Sequence, residues 1–362
     1  MIGLRIQIDP LPLVEPMVVR LRDCASSELT EHDAILIDRQ GNRLEYDFNG
    51  FSLVVHSDQP EGLDCDVVMA VPGQTSAHRL IRATSPHNTF LVTEQCDQLC
   101  VMCSQPPKKH HADLFAQFAT AAILAPERSV IGISGGEPLL HKEKLFQMLE
   151  NVARLRPDVT FHVLSNGQHF EKDDVKRLID IGTDKILWGI PLYSTDPETH
   201  DRIVGKDGAF RSLERGLGIL MQAGASVELR TVVLQQNRDH LGALADFVFT
   251  RLSFINVWAL MQLERIGYGR MNWTTSFLDT SSDFEPISTA INGTVARGIS
   301  VALYNFPLCS VPKEYRQYAP STISDWKRKY LGFCARCDAR SACGGFFEWY
   351  SHDQGFSGLG PL

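Results

Sequence analysis

The sequence predicts an α/β fold: a partial parallel (β/α)6 barrel with a small β-rich domain before it and a short, irregular cysteine-containing segment after it. Three observations carry this prediction. From about residue 88 apolar strand-like runs alternate with helical periods, and repeated βα units imply a parallel sheet covered by helices. Before about residue 85 there are only short β segments, separated by Gly, Asn, Asp and Pro clusters. After about residue 306 the alternation stops. The expected divisions are therefore 1–85, 86–305 and 306–362.

In the first division the strand candidates are 16–22, 34–38, 51–56 and 66–71. Cys24 and Cys65 fall here and read as small buried packing residues, because a free cysteine packs as a hydrophobe. In the second division the candidates are 89–93, 129–134, 159–165, 185–192, 226–234 and 254–261, with a seventh run at 299–305. Between them, Leu145, Phe146, Leu149, Val152 and Ala153 recur at three- and four-residue steps, predicting a helix over 141–155. Further helices are expected over 171–182 and 237–252, and Asp196-Pro197 reads as an N-cap and first helical position. Six units with a seventh strand suit an incomplete barrel, whose open side admits a large substrate. Its active site belongs at the C-terminal ends of the strands.

The chain has 362 residues, 44% of them hydrophobic and 22% charged, with a net charge of -8. That balance is globular and offers no basic stripe for nucleic acid. Lys108-Lys109-His110-His111 is a short local patch that reads as a solvated loop. No apolar run reaches the roughly 18 residues of a membrane span, and the first residues do not form a signal peptide. A cytoplasmic protein is the expectation. There, nine cysteines are more often metal ligands or catalysts than disulfides.

Three of them, Cys96, Cys100 and Cys103, are spaced C-x3-C-x2-C directly after the first barrel strand. Three thiolates leave one iron of a [4Fe–4S] cube open, and an open metal position is where chemistry happens. Ser134-Gly135-Gly136-Glu137-Pro138 ends the second strand. Its paired glycines let backbone approach a ligand closely, although alone it reads as a βα turn. Ser165-Asn166-Gly167 ends the third strand and offers small polar groups, or simply another turn. On the fifth strand Glu228 and Arg230 share one face, as a period of two requires. They are either an interior pair that binds a ligand or a solvated strand end. The run from Gln262 to Gly269 after the sixth strand lines the site or merely connects.

The C-x3-C-x2-C and G-G-E-P pair, in this order, resembles the radical SAM superfamily over residues 88 to 305. The resemblance implies that Cys96, Cys100 and Cys103 hold a cluster that binds S-adenosylmethionine (SAM) and, once reduced, cleaves it to a 5′-deoxyadenosyl radical. It implies that Gly135, Gly136 and Glu137 meet the methionyl amino end and that Ser165 and Asn166 contact the ribose or carboxylate. Arg230 is a further candidate for SAM. Two departures stand out. Met102 replaces the usual aromatic residue before the third cysteine, and is apolar and polarizable enough to pack beside adenine. Ile190-Pro191-Leu192-Tyr193 replaces the usual serine-containing run on the fourth strand.

Cys309, Cys334, Cys337 and Cys343 give four thiolates, enough for a closed cluster or for zinc. Beside a radical SAM core the set resembles the shortened SPASM domain called Twitch, which implies one auxiliary [4Fe–4S] cluster. Phe347 occupies the slot where a full SPASM pattern continues with cysteine. The wording around Cys96 and Cys103, and Asn305-Phe306-Pro307-Leu308-Cys309, resembles the maturases of the His-Xaa-Ser repeat system. That implies a small peptide substrate, a second radical SAM maturase as partner, and an electron donor such as flavodoxin or ferredoxin. The alternatives are a radical SAM enzyme acting on a small molecule and a non-catalytic Fe–S or zinc scaffold.

Overall fold

The structure is a computed structural model and describes residues 4–24, 29–59 and 61–362. Its first seven strands are β1 (Arg5–Ile8), β2 (Met17–Arg22), β3 (Asp33–Gln40), β4 (Arg43–Phe48), β5 (Phe51–His56), β6 (Val67–Ala70) and β7 (Ser76–Ile81). They form a closed barrel in the order β1-β5-β4-β3-β2-β6-β7. The alternation in β4 explains its place: Leu44 and Tyr46 are buried, while charged Arg43, Glu45 and Asp47 take the other face. Phe48 pairs with Phe51 across Asn49-Gly50. Both turn residues have positive φ, 52° and 85°, as the favoured two-residue hairpin requires. Ile6, Ile8, Val19, Leu21, Leu53 and Val55 fill the interior. The β-rich character agrees with expectation. Cys24 and Cys65 do not: Cys24 is exposed and Cys65 half-buried, and Cys65 occupies a left-handed position, φ 65°, beside Asp64. Neither packs as a core hydrophobe.

The following elements are β8 (Asn88–Thr93), α1 (Phe115–Ile123), β9 (Val130–Gly135), α2 (Lys142–Leu155), β10 (Thr160–Leu164), α3 (Asp174–Ile181), β11 (Ile186–Pro191), α4 (Pro197–Val204), α5 (Ala209–Gln222), β12 (Ser226–Val233), α6 (Leu241–Arg251), β13 (Val257–Gln262), α7 (Gly267–Met271), α8 (Trp273–Ser276), α9 (Glu285–Val295) and β14 (Val301–Tyr304). The seven strands β8 to β14 form one sheet in sequential order, with parallel register from β11 to β14. All seven predicted strands exist, with no end shifted by more than three residues. The N-cap at Asp196 is real: its side chain accepts from Thr199 N at 2.9 Å. The last strands, β15 (Arg328–Lys329) and β16 (Phe346–Phe347), make a small antiparallel pair.

The chain groups into two compact units, each described by itself. The first holds Met1–Val92, Ala112–Ser134 and His141–His162; the second holds Thr93–His111, Gly135–Leu140 and Val163–Leu362. In the first, α1 turns Phe118 onto Phe90 of β8 with ring centroids 5.1 Å apart. The site lies within the second.

Candidate active site

Gly135 and Gly136 pack against the backbone that leads into the three-cysteine loop. A Cβ on Gly135 would lie 2.3 Å from the Thr93 carbonyl, and one on Gly136 only 2.0 Å from that of Gln95. Gly136 N donates to Thr93 O at 2.9 Å and Glu137 N to Gln95 O at 2.7 Å. In the structure the glycines therefore serve this chain-to-chain approach: any side chain would push the cysteine loop away. Glu137 is fully buried. Its carboxylate accepts from Leu139 N at 2.8 Å, Ser165 Oγ at 2.8 Å and Asn166 N at 2.5 Å. Burial pushes this carboxyl up, against those hydrogen bonds. So Glu137 spends its side chain tying the G-G-E-P turn to the S-N-G turn.

From Asn166 the network continues to the cysteine loop. Asn166 Nδ2 donates to Asp97 Oδ1 at 2.9 Å. Asp97 also meets His169 Nε2 at 3.1 Å and the Lys206 ammonium. Burial works against the Asp97 charge, but the hydrogen bonds from His169 and Lys206 hold its carboxyl well below the usual carboxylate range. Asp97, His169 and Lys206 were absent from the sequence-based candidates. The acid beside Cys96 was visible; its partners, 72 and 109 residues away, were not.

Met102 is buried with Tyr193, Ile203, Val204, Leu263 and Trp273. The loop after β13 does touch the cysteine loop: Tyr268 N donates to Cys103 O at 2.8 Å. Glu228 and Arg230 are paired with each other, and Tyr304 OH donates to Glu228 Oε2 at 2.8 Å. Glu228 is 2% exposed, so this is an interior, charge-compensated pair rather than a solvated strand end. Glu264, just past β13, faces Lys327 Nζ at 3.7 Å. Burial pushes its carboxyl up, and Lys327 opposes this.

The thiols fit clusters. Burial pushes Cys96 up to about 11 and raises Cys100 and Cys103. Cys100 feels the charge of Cys103 and Cys96, and Cys96 that of Cys103. In the last segment Cys309 feels Cys343 and Cys334, and Cys334 feels Cys343 and Cys337. Leu308 N and Gly345 N donate to Cys343 Sγ at 3.4 and 3.3 Å, the N–H···S pattern that supports iron–sulfur thiolates. Among the described residues no three His, Cys, Asp or Glu side chains close around a single ion.

A sequential parallel sheet with three half-buried thiols just after its first strand defines an α/β protein of the partial-barrel, iron–sulfur kind. Residues 90–248 match the Radical SAM superfamily. The family implies SAM and a [4Fe–4S] cluster. The chain is 21% identical over 250 residues to the PqqA peptide cyclase of Granulibacter bethesdensis, covering 66% of this chain and 63% of the relative. It is 31% identical over 163 residues to the Fe-coproporphyrin III synthase of Methanosarcina barkeri, covering 43% and 39%. It thus spans less than two thirds of either relative. The crystal structure of Streptococcus suis SuiB bound to S-adenosylmethionine shares the fold at TM-score 0.50 and 15% identity, covering 62% of this chain and 51% of SuiB.

Proposed function

We propose that the chain is a radical SAM peptide maturase. Its core cluster is held by Cys96, Cys100 and Cys103, and SAM is bound by Gly135, Gly136, Glu137, Ser165, Asn166, Met102 and Arg230. The observation that carries this reading is the three-cysteine loop held at the strand ends by backbone bonds from the G-G-E-P turn, which the Glu137 carboxylate ties to the S-N-G turn. When bound, the reduced cluster supplies the electron that cleaves SAM, and the resulting radical takes hydrogen from the substrate. The chain's own part is to orient and to exclude water. Glu137 has its carboxylate and its backbone N–H bonded to protein, so its share in SAM binding is to hold the turn in place. Arg230, neutralised by Glu228, presents hydrogen-bond donors at little charge cost.

The substrate we propose is a small peptide of the His-Xaa-Ser repeat type, with a second radical SAM maturase and a flavodoxin or ferredoxin as partners. The similarity to the PqqA peptide cyclase supports the peptide. Residues 1–85 would recognise peptide or partner, 86–305 would cleave SAM, and 306–362 would hold one auxiliary [4Fe–4S] cluster on Cys309, Cys334, Cys337 and Cys343. Anaerobic reconstitution tests the core: the expected outcome is about eight irons per chain and 5′-deoxyadenosine after SAM and reductant. Its absence from a fully loaded chain would sink the reading. The similarity to the coproporphyrin synthase favours a second reading, a small-molecule substrate. Mass change of a His-Xaa-Ser peptide on turnover, against turnover of a porphyrin alone, separates the two.

A further inference from the structure

We infer that residues 354–362 act as a strap that lays a backbone N–H on one of the four auxiliary thiols, Cys337, and sets the reduction potential of the group they hold. The inference rests on the auxiliary-cluster reading above. The strap is anchored away from the thiols. Gln354 O accepts from Trp273 Nε1 at 2.5 Å, and Phe356, itself buried, packs on Phe277 and Tyr350. Asp279 is the main clamp. Its Oδ2 accepts from Ser357 N at 2.9 Å and Ser357 Oγ at 2.6 Å. Its Oδ1 accepts from Ser281 N at 3.0 Å and Ser281 Oγ at 2.5 Å. Ser281 Oγ in turn receives Gly358 N at 2.9 Å.

Beyond this clamp the chain reaches the thiols. Leu359 joins the apolar cluster that holds Cys334 and Cys309. Leu362 N donates to Cys337 Sγ at 3.4 Å, and Leu362 O accepts from Asp338 N at 3.0 Å. Cys343 draws its donors from Leu308 and Gly345 instead, so the strap serves Cys337. An N–H aimed at a cluster sulfur stabilises the reduced, more negative state and raises the potential; covering the site also excludes water. Asp279 touches neither thiol nor substrate. It is a positioning residue acting through the strap.

The test is a redox titration of the reconstituted holoenzyme by electron paramagnetic resonance, with the core cluster's potential as internal reference. Leu362→Pro removes the donor to Cys337, Leu362→Ala keeps it, and Asp279→Ala releases the strap. The proline and Asp279→Ala variants are expected to lower the auxiliary reduced-to-oxidised ratio at fixed potential by about tenfold, ~59 mV for a one-electron couple. Leu362→Ala is expected to titrate near the parent, and Asp279→Asn, which retains one of the two acceptor oxygens, between the parent and Asp279→Ala. Eight irons per chain with an unmoved potential in both disrupting variants would overturn the strap alone. About four irons and no second signal in the parent would overturn the auxiliary-cluster reading, and the strap with it.

Discussion

Asp97 shows how much a single side chain carries in this site. It sits between Cys96 and Cys100 and gathers Asn166, His169 and Lys206 around one carboxylate. Replacing it with alanine leaves those partners facing an empty position beside the cluster loop. Asp97→Ala is expected to cost about 1.5–3 kcal/mol, as for loss of a charge-assisted hydrogen bond, and to reduce core iron loading. Urea midpoints and iron per chain check this; unchanged values for both would remove the role assigned to the network. His200 is a second case. It is 1% exposed, its Nδ1 lies 3.4 Å from Tyr193 N, and its ring packs on Tyr193 and Phe210. Burial lowers its pKa to about 4, below the ordinary ~6.5. The unfolded chain therefore binds a proton that the folded chain refuses. The stabilising preference for neutral His200 is complete above pH ~6.5 and is lost as pH falls toward 4, on the order of 3 kcal/mol in all. Urea midpoints at pH 7 and pH 4.5 read this loss, and His200→Gln should show a smaller acid drop than the parent.

At the level of elements, the turns decide more than the strands. The G-G-E-P turn and the S-N-G turn are locked by the Glu137 carboxylate and by backbone approach to Thr93 and Gln95. Gly136→Ala places a methyl 2.0 Å from the Gln95 carbonyl and 3.0 Å from Cys96 Cβ. The cysteine loop has to move, so the variant is expected to fold yet lose most core iron while keeping the auxiliary complement. Iron counts near four rather than about eight, with little 5′-deoxyadenosine, are the expected readout; a fully loaded, active variant would show that the close approach is dispensable. The same turns were visible in the sequence as motifs. What they do was not, because the acceptors at Thr93 and Gln95 lie some forty residues upstream. The β4 strand shows the reverse. Its apolar/charged alternation and the Asn49-Gly50 hairpin signal are both local, yet the strand was absent from the sequence-based expectation, as were β1, β7, α1, α5 and α9.

For the whole molecule, the seven ligand candidates divide into a set of three and a set of four, all in the second compact unit. Each set is a group of thiols whose protons must leave when a cluster assembles, so loading couples to folding. The reconstituted chain is expected to melt above the apo chain, and chelation of iron should lower the transition. Equal melting temperatures for loaded and apo protein would mean that the thiol sets contribute nothing to the fold. Among the described residues no helix is long and apolar enough to cross a membrane.

The sequence alone determined the succession of βα units, the β-rich start, and the two thiol sets, because periodicity and ligand spacing are short-range properties of the chain. It also placed the Asp196 cap, a contact only three residues long. Only the tertiary structure decided that Glu137 faces protein rather than open space, that Glu228 is paired with Arg230 and Tyr304, and that Asp97 has partners on two other elements. It alone brought Leu362 onto Cys337. These are contacts between residues far apart in sequence. They form because burial leaves no water to satisfy a polar group, so each must find its partner wherever the fold brings one near.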